Sequence, residues 1–273
     1  MRSIETRGPS VGKCAICEKH GPLTVDHVPP KGAIRVSAVE MTSLISRISA
    51  DPKKERSELS QNGVKFRSLC ATCNNVFLGA GYDKDLIAFT TKVGEVLKSP
   101  IALPAVTSIR GKPHAILRSV IGHMLGAGVG LKPSGTMGEG MAAYFLDQSM
   151  PMPKELDCYY WPYPYNDQVI IHLAALVDSL GAGRPPTVFK LVKFFPLAFL
   201  LTWENYDPSR WGLENLCEHR RLGFHDEADL WLRTHPLPHQ LWPETPQNTS
   251  AVMFGQGTLQ AKPVYRGVKL RKR

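Results

Sequence analysis

The chain has 273 residues, is 43% hydrophobic and 21% charged, and carries a net charge of +9. That composition excludes wholesale disorder and supports a packed core, while the basic excess favours a polyanionic partner such as nucleic acid. No apolar run reaches the roughly 18 residues needed to span a bilayer. The opening "MRSIETRGPSVGK" also lacks the apolar centre of a secretory signal, so a cytoplasmic protein with no membrane contact is expected.

Three parts follow in order: residues 1–99 around two cysteine pairs, a second unit over 100–261, and a basic tail over 262–273. Residues 1 to about 12 read as a loose leader. "GPLTVDHVPP" reads as a turn, a short strand and a stop, because Pro29 and Pro30 cannot donate to a ladder. "SAVEMTSLISRISA" places apolar residues near i, i+3 and i+4 and predicts a helix. "DPKKERSELSQNG" predicts a charged loop closed by an Asn62-Gly63 turn. "VKFRSL" alternates as a strand. "CATCNNVF" then opens a helical pattern, which "LIAFTTKVGEVLKS" resumes until Pro100.

In the second unit, "KPHAILRSVIGHMLGAG" predicts a helix with Pro113 in its first turn and Gly126 and Gly128 at its end. Arg118 and His123 read as satisfied polar residues on its core face. "GMAAYFLDQ", "LDCYYWPYPY", "QVIIHLAALVD" and "TVFKLVKFFPLAFLLTWE" predict strands from their β-branched and aromatic residues. "DEADLWLRT" predicts a short helix. The aromatic run from Tyr159 to Tyr165 reads as core or interface, with base stacking as the alternative. The fold class is α+β, its second unit mixed and of no recognisable fold. That unit could read DNA, sense a ligand, dock a protein partner or form a homo-oligomer. In the tail, Lys262, Arg266, Lys269, Arg271, Lys272 and Arg273 face no acid. The tail is either a solvated end or an arm gripping phosphates through Lys269, Arg271, Lys272 and Arg273.

Four of the six cysteines form two Cys-x-x-Cys pairs, Cys14/Cys17 and Cys70/Cys73. Two thiolates three positions apart in a knuckle turn reach one ion, and two knuckles close a tetrahedral four-sulfur shell for structural Zn²⁺ at about 2.3 Å. The spacing from Cys17 to Cys70 exceeds that of ordinary zinc ribbons, so the ion would staple distant pieces of chain around Asp26-His27. His20 is an alternative fourth ligand, and Cys217 with His219 and His225 an irregular second set. Cys158 reads as an ordinary core or loop residue.

With the knuckles together, Asp26 and Asn74 offer oxygen ligands for Mg²⁺ or Mn²⁺. His27, pointing the other way along its strand, could deprotonate a water lined up on phosphorus. The segments "CAIC", "VDHVPP" and "LCATCNN" resemble, in that order, the zinc-bearing HNH endonucleases. The match covers residues 14 to about 75. The resemblance implies a ββα-metal module, structural zinc on Cys14, Cys17, Cys70 and Cys73, a catalytic divalent ion on Asp26 and Asn74, and His27 as general base. It implies hydrolysis of DNA, in settings that include defence against foreign DNA. The family's helix histidine is Asn74 here. Asn75 could exchange roles with Asn74, Asp83 is a further ligand or a helix cap, and the middle asparagine is Asn62 or is not placed. The rival expectation is a non-catalytic zinc ribbon that binds nucleic acid or a partner protein.

Overall fold

The computed structural model describes residues 4–45, 57–178, 185–204, 212–247, 249–254 and 257–264. A small sheet carries the cysteine pairs. In it β2 (His20–His27) pairs antiparallel with both β1 (Val11–Lys13) and β5 (Lys65–Cys70). The register sets Asp26 opposite Phe66, His27 opposite Lys65 and Val25 opposite Arg67. Cross-strand partners share a face, so Asp26, Phe66 and Ser68 point into the protein, while Val25, His27, Lys65 and Arg67 point out.

Past Cys70 the chain turns into a helix. Its first stretch, Thr72–Tyr82, is wound as a π-helix, and the Asp83 N–H reaches back five residues to the Leu78 carbonyl. It continues without a break as α1 (Asp83–Lys98), whose Leu86, Phe89 and Val93 recur on one buried face. After β6 (Val106–Gly111), helix α2 (Pro113–Gly126) starts at Pro113 as expected and is buried along its whole length. It lies against the inner face of β2 and β5, where Ser68 Oγ donates to the Gly126 carbonyl at 2.6 Å. α2 also meets the next helix, α3 (Gly135–Leu146). A Cβ on Gly122 would fall 2.4 Å from the Phe145 ring and 2.6 Å from Leu78. Gly122→Ala is therefore expected to destabilise the protein by about 1–3 kcal/mol through overpacking, read from urea unfolding.

The remaining strands are β3 (Val39–Ser43), β4 (Ser57–Ser60), β7 (Leu156–Pro162), β8 (Gln168–Asp178), β9 (Thr187–Phe194), β10 (Leu197–Trp203), β11 (Glu214–Asn215), β12 (Ala228–Arg233), β13 (Thr249–Met253) and β14 (Thr258–Pro263). β12 pairs with β6. The others form an antiparallel sheet ordered β11-β7-β10-β9-β8-β14-β3-β4, with β13 also on β8. β7, β9 and β10 are buried on both faces and read as near-continuous apolar runs.

Three elements differ from their sequence expectation. "VEMTS" within the expected helix is strand β3, because it pairs residue by residue with β14 and β4, and such long-range pairing overrides local propensity. β4 accordingly takes part of the expected charged loop; the rest of that helix and loop, residues 46–56, lies outside the described residues. "GMAAYFL" is helical, since Met137, Met141, Tyr144 and Phe145 form one buried stripe at helical spacing. "ADLWLR" is a strand of period two: Leu230 and Leu232 are buried while Trp231 is exposed. The aromatic run is core on both faces. Tyr160 packs on Phe89 and Phe199, and Trp161 on Trp242. The largest core cluster joins residues from both sides of position 99. β3 and β4 of the first unit extend the sheet of the second. Among the described residues no helix is long and apolar enough to cross a membrane.

Candidate metal centre and the adjoining groove

The two knuckles meet. Cys14 and Cys17 lie in the turn between β1 and β2, Cys70 ends β5, and Cys73 sits in the first turn of the helix. The four sulfurs all lie within 4.8 Å of one another, and Cys17 Sγ is 3.7 Å from Cys70 Sγ. A regular tetrahedron with bonds of about 2.3 Å has edges of about 3.8 Å, so the spacing fits Zn²⁺. The Cys70 N–H points at Cys14 Sγ from 3.3 Å. A hydrogen bond from Cys73, against the cost of burial and with help from the backbone N–H groups of Cys70, Ile16 and Cys17, pulls the Cys14 thiol down to about 4. The same contact holds the Cys73 thiol up, and burial holds Cys17 up. A second thiolate in this cluster therefore needs a cation, which zinc would supply. His20 is exposed on β2 and is not one of the four ligands. Cys217, His219 and His225 do not form a metal-holding group; Cys217 is buried in the core.

Asp26 and His27 point to opposite sides of the small sheet. Asp26 is 5% exposed. Its Oδ2 accepts from His123 Nδ1 of α2 at 2.8 Å, and His123 Nε2 donates to Asp83 Oδ1 at 3.0 Å. Ser119 Oγ donates to the same Asp83 oxygen at 2.7 Å. Burial opposes charge on His123, but the two carboxylates outweigh it and raise its pKa to about 10. At neutral pH an imidazolium thus clasps β2 to the start of α1 through α2. His123 is satisfied, as expected of it, but it also occupies the acid expected to hold a catalytic ion. Asn74 Nδ2 donates to Thr24 Oγ1 at 2.9 Å and to the Val25 carbonyl at 3.2 Å, pinning the helix start to β2. Asp26 Oδ2 is thus engaged on the buried side of β2, and the Asn74 contacts run through its amide nitrogen. Asn75 is exposed.

His27 is half-buried on the outer face. Burial lowers its pKa, the Asp26 charge partly offsets this, and Lys65 and Lys31 lower it further. Its ring bonds the Asn62 backbone. The Asn62-Gly63 turn therefore flanks His27, with Gly63 in the left-handed region at φ +70°. The imidazole is neutral at pH 7, with lone-pair character available.

Beside it runs a groove of about 600 Å³ between the small sheet and β3–β4. Arg7, Val25, Lys65 and Arg67 line one wall, and Glu58 and Leu59 the other. The leader is held there by the Arg67 N–H, which donates to the Thr6 carbonyl at 3.1 Å. Arg7, Lys65 and Arg67 are not singled out in the sequence, and His123 reads there only as a satisfied core residue. Strand alternation in "VKFRSL" signals the two β5 residues once β5 is set beside β2, whereas nothing local marks His123. Lys269, Arg271, Lys272 and Arg273 lie outside the described residues. No family model, curated protein or solved structure matches this chain.

Proposed function

We propose that this protein is a zinc-stapled endonuclease that hydrolyses phosphodiester bonds of DNA, with His27 as general base. The observation that carries the reading is the shared outer face of β2 and β5. The neutral imidazole of His27 stands on that face opposite Lys65, which together with Arg67 lines the groove. A phosphodiester drawn against those cations has part of its charge neutralised, while burial, helped by Lys65, keeps His27 in its base form. The Asn62-Gly63 turn, with Gly63 in the left-handed region, stands beside the ring. His27 can then take a proton from a water attacking phosphorus. The HNH resemblance supports the same assignment through the order Cys-x-x-Cys, Asp-His and Cys-x-x-Cys-Asn. Because Asp26 is engaged by His123, no step is routed through a divalent ion held by Asp26 and Asn74.

The test is cleavage of duplex and single-stranded DNA in Mg²⁺ or Mn²⁺ buffer. His27→Ala is expected to lower the rate about 10²- to 10⁴-fold while zinc content and melting temperature stay unchanged. Arg67→Ala is expected to weaken DNA binding and flatten its salt dependence. A His27→Ala protein that cuts as fast as the parent would rule the base out. The second reading is a non-catalytic zinc module that binds nucleic acid, favoured by the burial of Asp26 away from the groove. Salt-sensitive binding with no cleavage under any divalent ion selects it.

A further inference from the structure

A second cavity, of about 380 Å³, opens at the start of α3. Its walls include Ser134, Thr136, His172, Lys190 and Trp203. Among the described residues, three features make it short of negative charge: Lys190, Trp203 and the start of α3. Lys190 on β9 is 5% exposed, and among the described residues its ammonium bonds His172, the carbonyl at 2.6 Å and Nε2 at 3.3 Å. Among the described residues it has no carboxylate partner. The ammonium donates to His172 Nε2, so the neutral imidazole carries its hydrogen on Nδ1, which is buried with the Ala127 and Met124 carbonyls beside it. The indole Nε1 of Trp203 is also buried and, among the described residues, unpartnered. The α3 N-terminus brings its free N–H groups to the same cavity, with no side-chain cap from Ser134.

Buried donors are normally satisfied, and buried charges are normally paired. Here donors and positive charge converge on one space large enough for a small molecule. Met137, Pro133 and Val188 supply apolar wall. We propose that this cavity binds a small organic anion, its phosphate or carboxylate head on Lys190 and the α3 N-terminus and its apolar body against Met137 and Trp203. The site is separate from the His27 groove and stands whether or not His27 cleaves DNA.

The charged groups facing Lys190 are His172, Lys132 and Glu204. His172 is pushed down to about 3 by burial and by Lys190, so it stays neutral at any working pH. Glu204 is exposed. Burial brings Lys190 itself to about 8.

The experiment is thermal melting and calorimetry of the full chain with sodium sulfate, standing for a phosphate head, and sodium benzoate, for a carboxylate head. Sodium chloride at equal ionic strength is the control. One or both anions are expected to raise the melting temperature above chloride. Stabilisation by sulfate selects the phosphate head, and by benzoate alone the carboxylate head. Lys190→Met is expected to weaken that binding about 10- to 100-fold and, having lost an unpaired buried charge, to melt no lower than the parent in chloride. Sulfate and benzoate do not titrate between pH 7 and 9. In the parent, their affinity is expected to fall as pH rises through about 8. The pH profile also serves as the test should Lys190→Met fail to fold. No stabilisation beyond chloride, undiminished binding by Lys190→Met, or a flat pH profile overturns the site.

Discussion

Replacing Cys73 by serine is expected to strip the chain of zinc and release the β1–β2–β5 sheet. The four sulfurs hold two segments that are distant in sequence, and Cys73 is the ligand that ties the helix to them. Zinc in four-sulfur sites contributes an apparent folding free energy of about 10–16 kcal/mol in small peptides. A whole domain is stable by only about 5–15 kcal/mol. Loss of one thiolate therefore removes more free energy than the local structure can supply from packing. Elemental analysis should find one zinc per parent chain and none in Cys73→Ser. Hydrogen exchange should show protection lost across β1, β2 and β5 before it is lost in β9 and β10, which are buried on both faces. Cys158→Ala is the control. Its thiol is buried in the core and pushed up by that burial, so its removal should cost packing and leave zinc in place. A parent chain that holds no zinc and melts identically with and without chelator would sink the assignment.

The cysteine cluster was legible because its information is local: two short motifs carry all four ligands. Two strands of the small sheet were legible for the same reason, through the stop at Pro29 and Pro30 and the alternation of "VKFRSL", whereas β1 begins inside the expected loose leader. What the sequence hid was pairing at a distance. "VEMTS" has helical spacing, yet it is a strand because β14, at the far end of the chain, supplies its partners. His123 gives no signal by itself: a lone histidine on an apolar helix reads as core. Its role appears only when α2 lies across β2 and brings the ring between Asp26 and Asp83. Asp26 was expected to hold a catalytic ion; in the fold its Oδ2 meets His123, a residue from the other unit. Alternation also implied that Asp26 and His27 point apart. The consequence is physical: one acid and one base, adjacent in sequence, are sorted by the sheet into a buried clasp and an outer groove.

That clasp carries the remaining large effect. His123→Ala leaves the Asp26 and Asp83 carboxylates buried together without their cation, at 7% and 12% side-chain exposure. Removing one member of a buried charged set costs about 3–5 kcal/mol. The cost should depend on pH in a definite sense. His123 titrates near 6.5 when unfolded and at about 10 when folded. Its raised pKa contributes stability that is fully present below about 6.5 and is lost as pH rises through about 10. Asp83 shifts the opposite way. Burial pushes it up, but His123 and Ser119 outweigh that and hold its pKa below the usual value. Its contribution is present above the unfolded carboxylate range and is lost as pH falls through its lowered folded pKa. Urea unfolding of the parent and His123→Ala should therefore differ most near pH 6, and the difference should shrink steadily toward pH 10. A difference constant from pH 6 to 10 would mean that His123 only fills space. On the proposed endonuclease reading cutting should respond as well, since Asp26 lies on the strand that ends in His27. With His123→Ala held folded at low temperature, the rate should fall by a smaller factor than in His27→Ala, because the base itself is still present.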